Sequence, residues 1–93
     1  INLKKRVRFD MREIYKQAMK DVISESFYKT RTEQRLTQDK MSEKLMLSCR
    51  SYIDIEHGAS LCGSLPLILY LLDCCQDPMA FLDEMRIALD KLR

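Results

Sequence analysis

Ninety-three residues with 46% hydrophobic content suffice for one small domain holding one modest core. Two glycines and two prolines leave little room for hairpins or long loops, so the expected fold class is all-α. The net charge of +2 hides a gradient from basic to acidic along the chain, since residues 1–35 hold most of the Lys and Arg while 36–93 hold most of the Asp and Glu. Such a distribution points to a soluble protein whose basic end favours an anionic partner.

In chain order, residues 1–9 contain Lys4, Lys5, Arg6 and Arg8 and no acid. This reads as a basic N-terminal arm able to follow a phosphate backbone or enter a minor groove; a solvated tail is the other reading. It lacks the continuous apolar stretch of a signal peptide. From Asp10, a candidate cap, Met11, Ile14, Tyr15, Ala18 and Val22 recur at helical spacing and open a single helical domain over 10–93. This extra amphipathic helix either covers the domain's own core or supplies a partner surface. Phe27, Thr30 and Arg31 carry the pattern on to an end near Gln34-Arg35, and spacing does not settle whether the helix breaks near Ser24-Glu25-Ser26.

Residues 37–58 read as two short helices joined by a tight turn. Thr37 is a good N-cap, with Met41 and Leu45 on one face of the helix that follows. Ser48 offers a second N-cap, Tyr52 and Ile55 recur at i, i+3, and Gly58 supplies a stop. Helices this short are stable only if Met41, Leu45, Leu47, Tyr52 and Ile55 pack against the flanking segments. Cys49, Arg50, Ser51 and Asp54 then face outward. Small or polar groups at the start of an exposed helix are what a major-groove reader needs, although an ordinary helical hairpin with a solvated face has the same pattern.

Leu65 to Leu72 is the most apolar run, with Ser64 or Leu65 starting a helix and Pro66 tolerated in its first turn. Too short to span a bilayer, it reads as a buried central helix, and no membrane is expected as a partner. Asp77-Pro78 starts a last helix over 78–92, which sets Leu82, Met85, Leu89 and Leu92 along a narrow seam for self-association or for docking on the core. Cys49, Cys62, Cys74 and Cys75 form no Cys-x-x-Cys pair, and His57 stands outside any metal-ligand spacing. No metal or cofactor is expected, and the thiols fit a reduced, cytoplasmic protein. Cys49, at a helix N-terminus, is a candidate for a lowered thiol pKa. No catalytic constellation or phosphate loop appears, so no enzymatic activity is expected.

Leu36-Thr37-Gln38, Met41-Ser42, Leu45, Ser48-x-x-Ser51 and Ile55-Glu56-x-Gly58 together resemble the XRE (Cro/cI-type) helix-turn-helix family of bacterial and phage transcriptional regulators. The similarity covers roughly Ile23 to Leu82, with Arg31 matching the family's first-helix arginine. The resemblance implies a lambda-repressor-like bundle of about five helices, here with an additional N-terminal helix. It also implies an Arg31–Glu56 ion pair and a homodimer on a two-fold operator in double-stranded DNA. Gln38 would contact phosphate, with Ser48 capping the recognition helix and touching the backbone. Cys49, Arg50, Ser51 and Asp54 would meet base edges. The chain departs from the family with Met46 where Gly is usual in the turn, Lys40 for Glu, Ser42 for Ala, and Cys62 near a usual Pro. A protein-interaction module that kept this scaffold without binding DNA is the alternative.

Overall fold

A computed structural model describes residues 3–93, with side chains from Asp10 onward. Lacking any Gly or Pro in its first third, the chain begins with one helix of 31 residues, α1 (Leu3–Glu33). α2 (Gln38–Lys44), α3 (Cys49–Glu56), α4 (Ser64–Leu69) and α5 (Pro78–Asp90) follow, with a π-helical turn over Tyr70–Cys74 extending α4. Among the described residues there is no strand, and the class is all-α. Nor, among the described residues, is any helix long and apolar enough to cross a membrane.

α1 is unbroken through Ser24–Ser26 and reaches back to Leu3, so the stretch expected as a separate arm forms its first turns and Asp10 lies inside the helix rather than capping it. The phosphate contacts expected of Lys4, Lys5, Arg6 and Arg8 fall outside the described side chains. At about 1.5 Å rise per residue, this helix accounts for most of the molecule's 50 Å long axis. Its C-terminal half is the spine of the fold, with α3 and α5 packed on it. Ile23 and Phe27 are buried there, whereas Met11 and Ile14 stay exposed. Of the stripe expected over Asp10 to Val22, Val22 packs against the core, while the turns holding Met11 and Ile14 extend past it into solvent.

Four aromatic rings tie the helices together. Phe27 of α1 stacks on Tyr52 of α3 at 6.0 Å and tilts against Tyr70 at 4.4 Å, and Tyr70 meets the edge of Phe81 of α5 at 5.4 Å. Such pairs add roughly 0.5–1.5 kcal/mol each beyond the area they bury. The buried Tyr70 hydroxyl lies 2.5 Å from Ser26 Oγ and 2.7 Å from Thr30 Oγ1, and donates to the Ser26 carbonyl at 3.2 Å. A polar atom is thus satisfied inside an apolar core.

Three successive helices end in the same way. After α1, the Leu36 N–H reaches the Arg31 carbonyl and Arg35 N–H that of Thr32; after α2, Leu47 reaches Ser42 and Met46 reaches Glu43; after α3, Ala59 reaches Asp54 and Gly58 reaches Ile55. This is the Schellman pattern, which sets its C′ residue at positive φ. The three C′ residues are Arg35 (φ 56°), Met46 (φ 56°) and Gly58 (φ 75°). Only the last is a glycine. The expected turn between the motif helices therefore forms in spite of Met46.

Two readings of the C-terminal third are corrected. The Leu65–Leu72 run is not a buried central helix: Tyr70 and Cys74 are buried, but Leu65, Ile68 and Leu72 face solvent. A run apolar on every side has more apolar surface than one contact face can cover. In α5 the core side chain is Phe81, with Met85 packed beside it, while Leu82 and Leu92 are exposed. The expected seam of Leu82, Met85, Leu89 and Leu92 is accordingly split, because Met85 already belongs to the domain's own core. Asp77 caps α5, its Oδ1 accepting from the Ala80 N–H at 3.0 Å, ahead of Pro78.

Candidate nucleic-acid interface

The helix pair of residues 37–58 assembles as its capping residues dictate. Thr37 Oγ1 accepts from the Lys40 N–H at 3.1 Å, and Ser48 Oγ from the Ser51 N–H at 3.1 Å. Each cap satisfies a donor that the helix start would leave orphaned. Met41, Leu45, Tyr52 and Ile55 are buried, and Leu47 packs against them. Ser42 is buried as well, its hydroxyl donating to the Asp39 carbonyl at 2.7 Å, so no polar group is stranded where an alanine would have none.

α3 is fixed at its far end by charge. Arg31 Nε donates to Glu56 Oε2 at 2.8 Å and Nη2 to Oε1 at 2.9 Å, a bidentate pair, while Nη1 donates to the Leu36 carbonyl at 3.0 Å. Gln38 Nε2 adds a bond to Glu56 Oε1 at 3.2 Å, and the Ser24 hydroxyl donates to the Glu56 carbonyl. Burial alone would raise the Glu56 carboxyl, but Arg31, the neighbouring Tyr52 hydroxyl and Gln38 hold it below its ordinary value of 4.5. The Arg31 guanidinium is raised in return by its bond to Glu56. Beside the pair lies the buried Tyr52 hydroxyl, pushed above its usual range by burial and by the adjoining Glu56 carboxylate.

The opposite face of α3 is open. The Arg50 side chain is 87% exposed, and Ser51 is exposed beside it. Arg50 Nε sits 3.7 Å from Asp54 Oδ1, one helical turn on. Cys49 and Asp54 are half-buried. Of the four residues expected to read bases, Arg50 and Ser51 are thus in solvent and Asp54 sits beside Arg50, while Cys49 is partly covered and Tyr52 and Ile55 of the same helix point inward. Gln38, expected to contact phosphate, is half-buried with its amide donating to Glu56 Oε1. The Arg50–Asp54 pairing was open to reading from the i, i+4 spacing of opposite charges.

Cys49 does not have the lowered pKa expected of a thiol at a helix start. The nearby Asp39 carboxylate raises it, opposing the helix-end field. Burial pushes Cys62 up to about 11 and also raises Cys74. All four cysteines are free thiols. Among the described residues, no three His, Cys, Asp or Glu side chains come together as a ligand set for a metal ion.

No family model matches this chain, and neither a curated protein nor a solved structure resembles it at a significant level.

Proposed function

We infer that this protein is a sequence-specific DNA-binding transcriptional regulator with a lambda-repressor-like helix-turn-helix, working in the cytoplasm as a dimer on a two-fold operator. One observation carries the reading. A short helix is held on its inner side by Tyr52, Ile55 and the Arg31–Glu56 pair, and leaves Arg50 and Ser51 in solvent with Asp54 beside Arg50. Rigid anchoring of one face with polar groups displayed on the other is what insertion into a major groove demands.

Arg50 is the principal base reader, its terminal nitrogens suited to guanine O6 and N7. Asp54 accepts from cytosine N4, while the second amide hydrogen of Gln38 and the backbone at Ser48 meet phosphates. Lys4, Lys5, Arg6 and Arg8 add electrostatic attraction along the duplex.

A protein-interaction module built on the same scaffold is the second reading, favoured by the carboxylates of Asp39 and Asp54 on the helix pair's outer surface. Titration of random-duplex binding with salt separates the two. Affinity that falls steeply as salt rises supports the DNA reading, and no binding at low salt supports the interaction module.

A further inference from the structure

We propose that the cleft between α1 and the start of α5, with the hydroxyls of Ser26, Thr30 and Tyr70 at its floor, binds a linear polyamine. The cleft has a volume of about 330 Å³, the size at which small-ligand sites begin. All three floor residues line it, and Tyr70 is fully buried. The Tyr70 hydrogen goes to the Ser26 carbonyl at 3.2 Å, so the contacts at 2.5 Å and 2.7 Å are donations from Ser26 and Thr30. Every hydroxyl hydrogen is thereby spent within the floor, and what Ser26 and Thr30 keep for the cleft is lone pairs. A ligand that settles there has to donate.

The π-helical turn supplies the end wall. Its last N–H, from Cys75, reaches the Tyr70 carbonyl at 2.8 Å, five residues back, which stacks positions 70 and 75 on one side, and both line the cleft. An α-helical turn would set them about 140° apart. Single π turns of this kind are frequent at functional sites.

The walls determine the occupant. Glu25, Glu33, Asp77 and Glu84 line the cleft with Lys29 as the one cation among the lining residues, in a chain whose net charge is +2. Glu25, Glu33 and Glu84 form no ion pair among the described residues, and Asp77 uses Oδ1 alone, to cap α5. Excess negative charge selects a cation, and the lone pairs of the floor select one bearing N–H groups. A metal ion is the wrong cation, because no three of these carboxylates converge as a ligand set. Glu25 and Glu33 stand two turns apart on α1, about 12 Å, with Ser26 and Thr30 between them. One ammonium group cannot reach both ends. A linear polyamine can, its terminal nitrogens at the carboxylates and its inner one over the floor. The cleft shares no residue with the exposed side of α3 and its test involves no DNA, so it stands or falls separately from the nucleic-acid reading.

Spermidine titrated into the full chain at low salt, followed by calorimetry and by backbone amide chemical shifts, tests it. Binding should be one to one with a dissociation constant of about a millimolar or lower, and the shifts should centre on Ser26, Thr30 and Ala80. Glu33→Gln combined with Glu84→Gln should raise the constant about tenfold, whereas Glu13→Gln and Asp90→Asn, outside the cleft, should leave it within about twofold. Thr30→Val keeps the shape of the floor without its lone pairs and should weaken binding about threefold or more. Circular dichroism melts show whether each variant is folded. No saturable binding up to about 10 mM spermidine overturns the proposal. So do shifts spread over acidic residues outside the cleft, or unchanged affinity in the folded Glu33→Gln, Glu84→Gln chain or in folded Thr30→Val.

Discussion

Arg31 sets two parallel N–H groups against both oxygens of Glu56, and that single contact joins the spine of the fold to the end of the outward-facing helix. The carboxylate is almost fully buried, so removing one partner strands the other. Arg31→Ala should lose about 3–5 kcal/mol of stability in urea unfolding, whereas the paired change Arg31→Met with Glu56→Leu should recover most of it.

The same contact sets an acid limit. The folded-state pKa of Glu56 lies below its ordinary value of 4.5, so its stabilising contribution is complete above that value and is lost as pH falls through the lower folded value. Unfolding midpoints measured from pH 6 downward should therefore fall more steeply for the wild type than for Glu56→Gln, which has no carboxylate to protonate.

Met46 occupies a left-handed position with its side chain largely in solvent. Met46→Gly relieves the strain without emptying the core and should stabilise the protein by about 1 kcal/mol, read as a higher urea midpoint at unchanged slope. Met46→Ala keeps the Cβ and should not reproduce the gain.

Tyr70 anchors the aromatic chain through its hydroxyl as well as its ring. Tyr70→Phe leaves the Ser26 and Thr30 hydroxyls without that partner and should cost about 1–2 kcal/mol by the same measurement.

The helix pair was legible because its signals are local. Thr37, Ser48 and Gly58 mark helix ends by their own backbone chemistry, and Met41, Leu45, Tyr52 and Ile55 keep an unambiguous phase. The Arg31–Glu56 contact came from family resemblance, since no local rule links residues so far apart. Leu65–Leu72 misled because a continuous apolar run has no phase, and only packing against the rest of the fold decides which side is covered. In α5 the seam drawn from Leu82 lay next to the true core residue, Phe81, which one apolar neighbour is enough to disguise. The unbroken α1 was hidden by Ser24 and Ser26, polar residues that a helix tolerates when their hydroxyls find partners such as Glu56 and Tyr70.

Selection of bound duplexes from a random pool, run in parallel on the wild type and Arg50→Ala, tests most directly whether the exposed side of α3 reads DNA. The account predicts enrichment of one two-fold site by the wild type. Arg50→Ala should bind that site about 1–3 kcal/mol more weakly and lose preference at one base pair of each half-site. No enrichment by the wild type, or an unchanged site in Arg50→Ala, would contradict it.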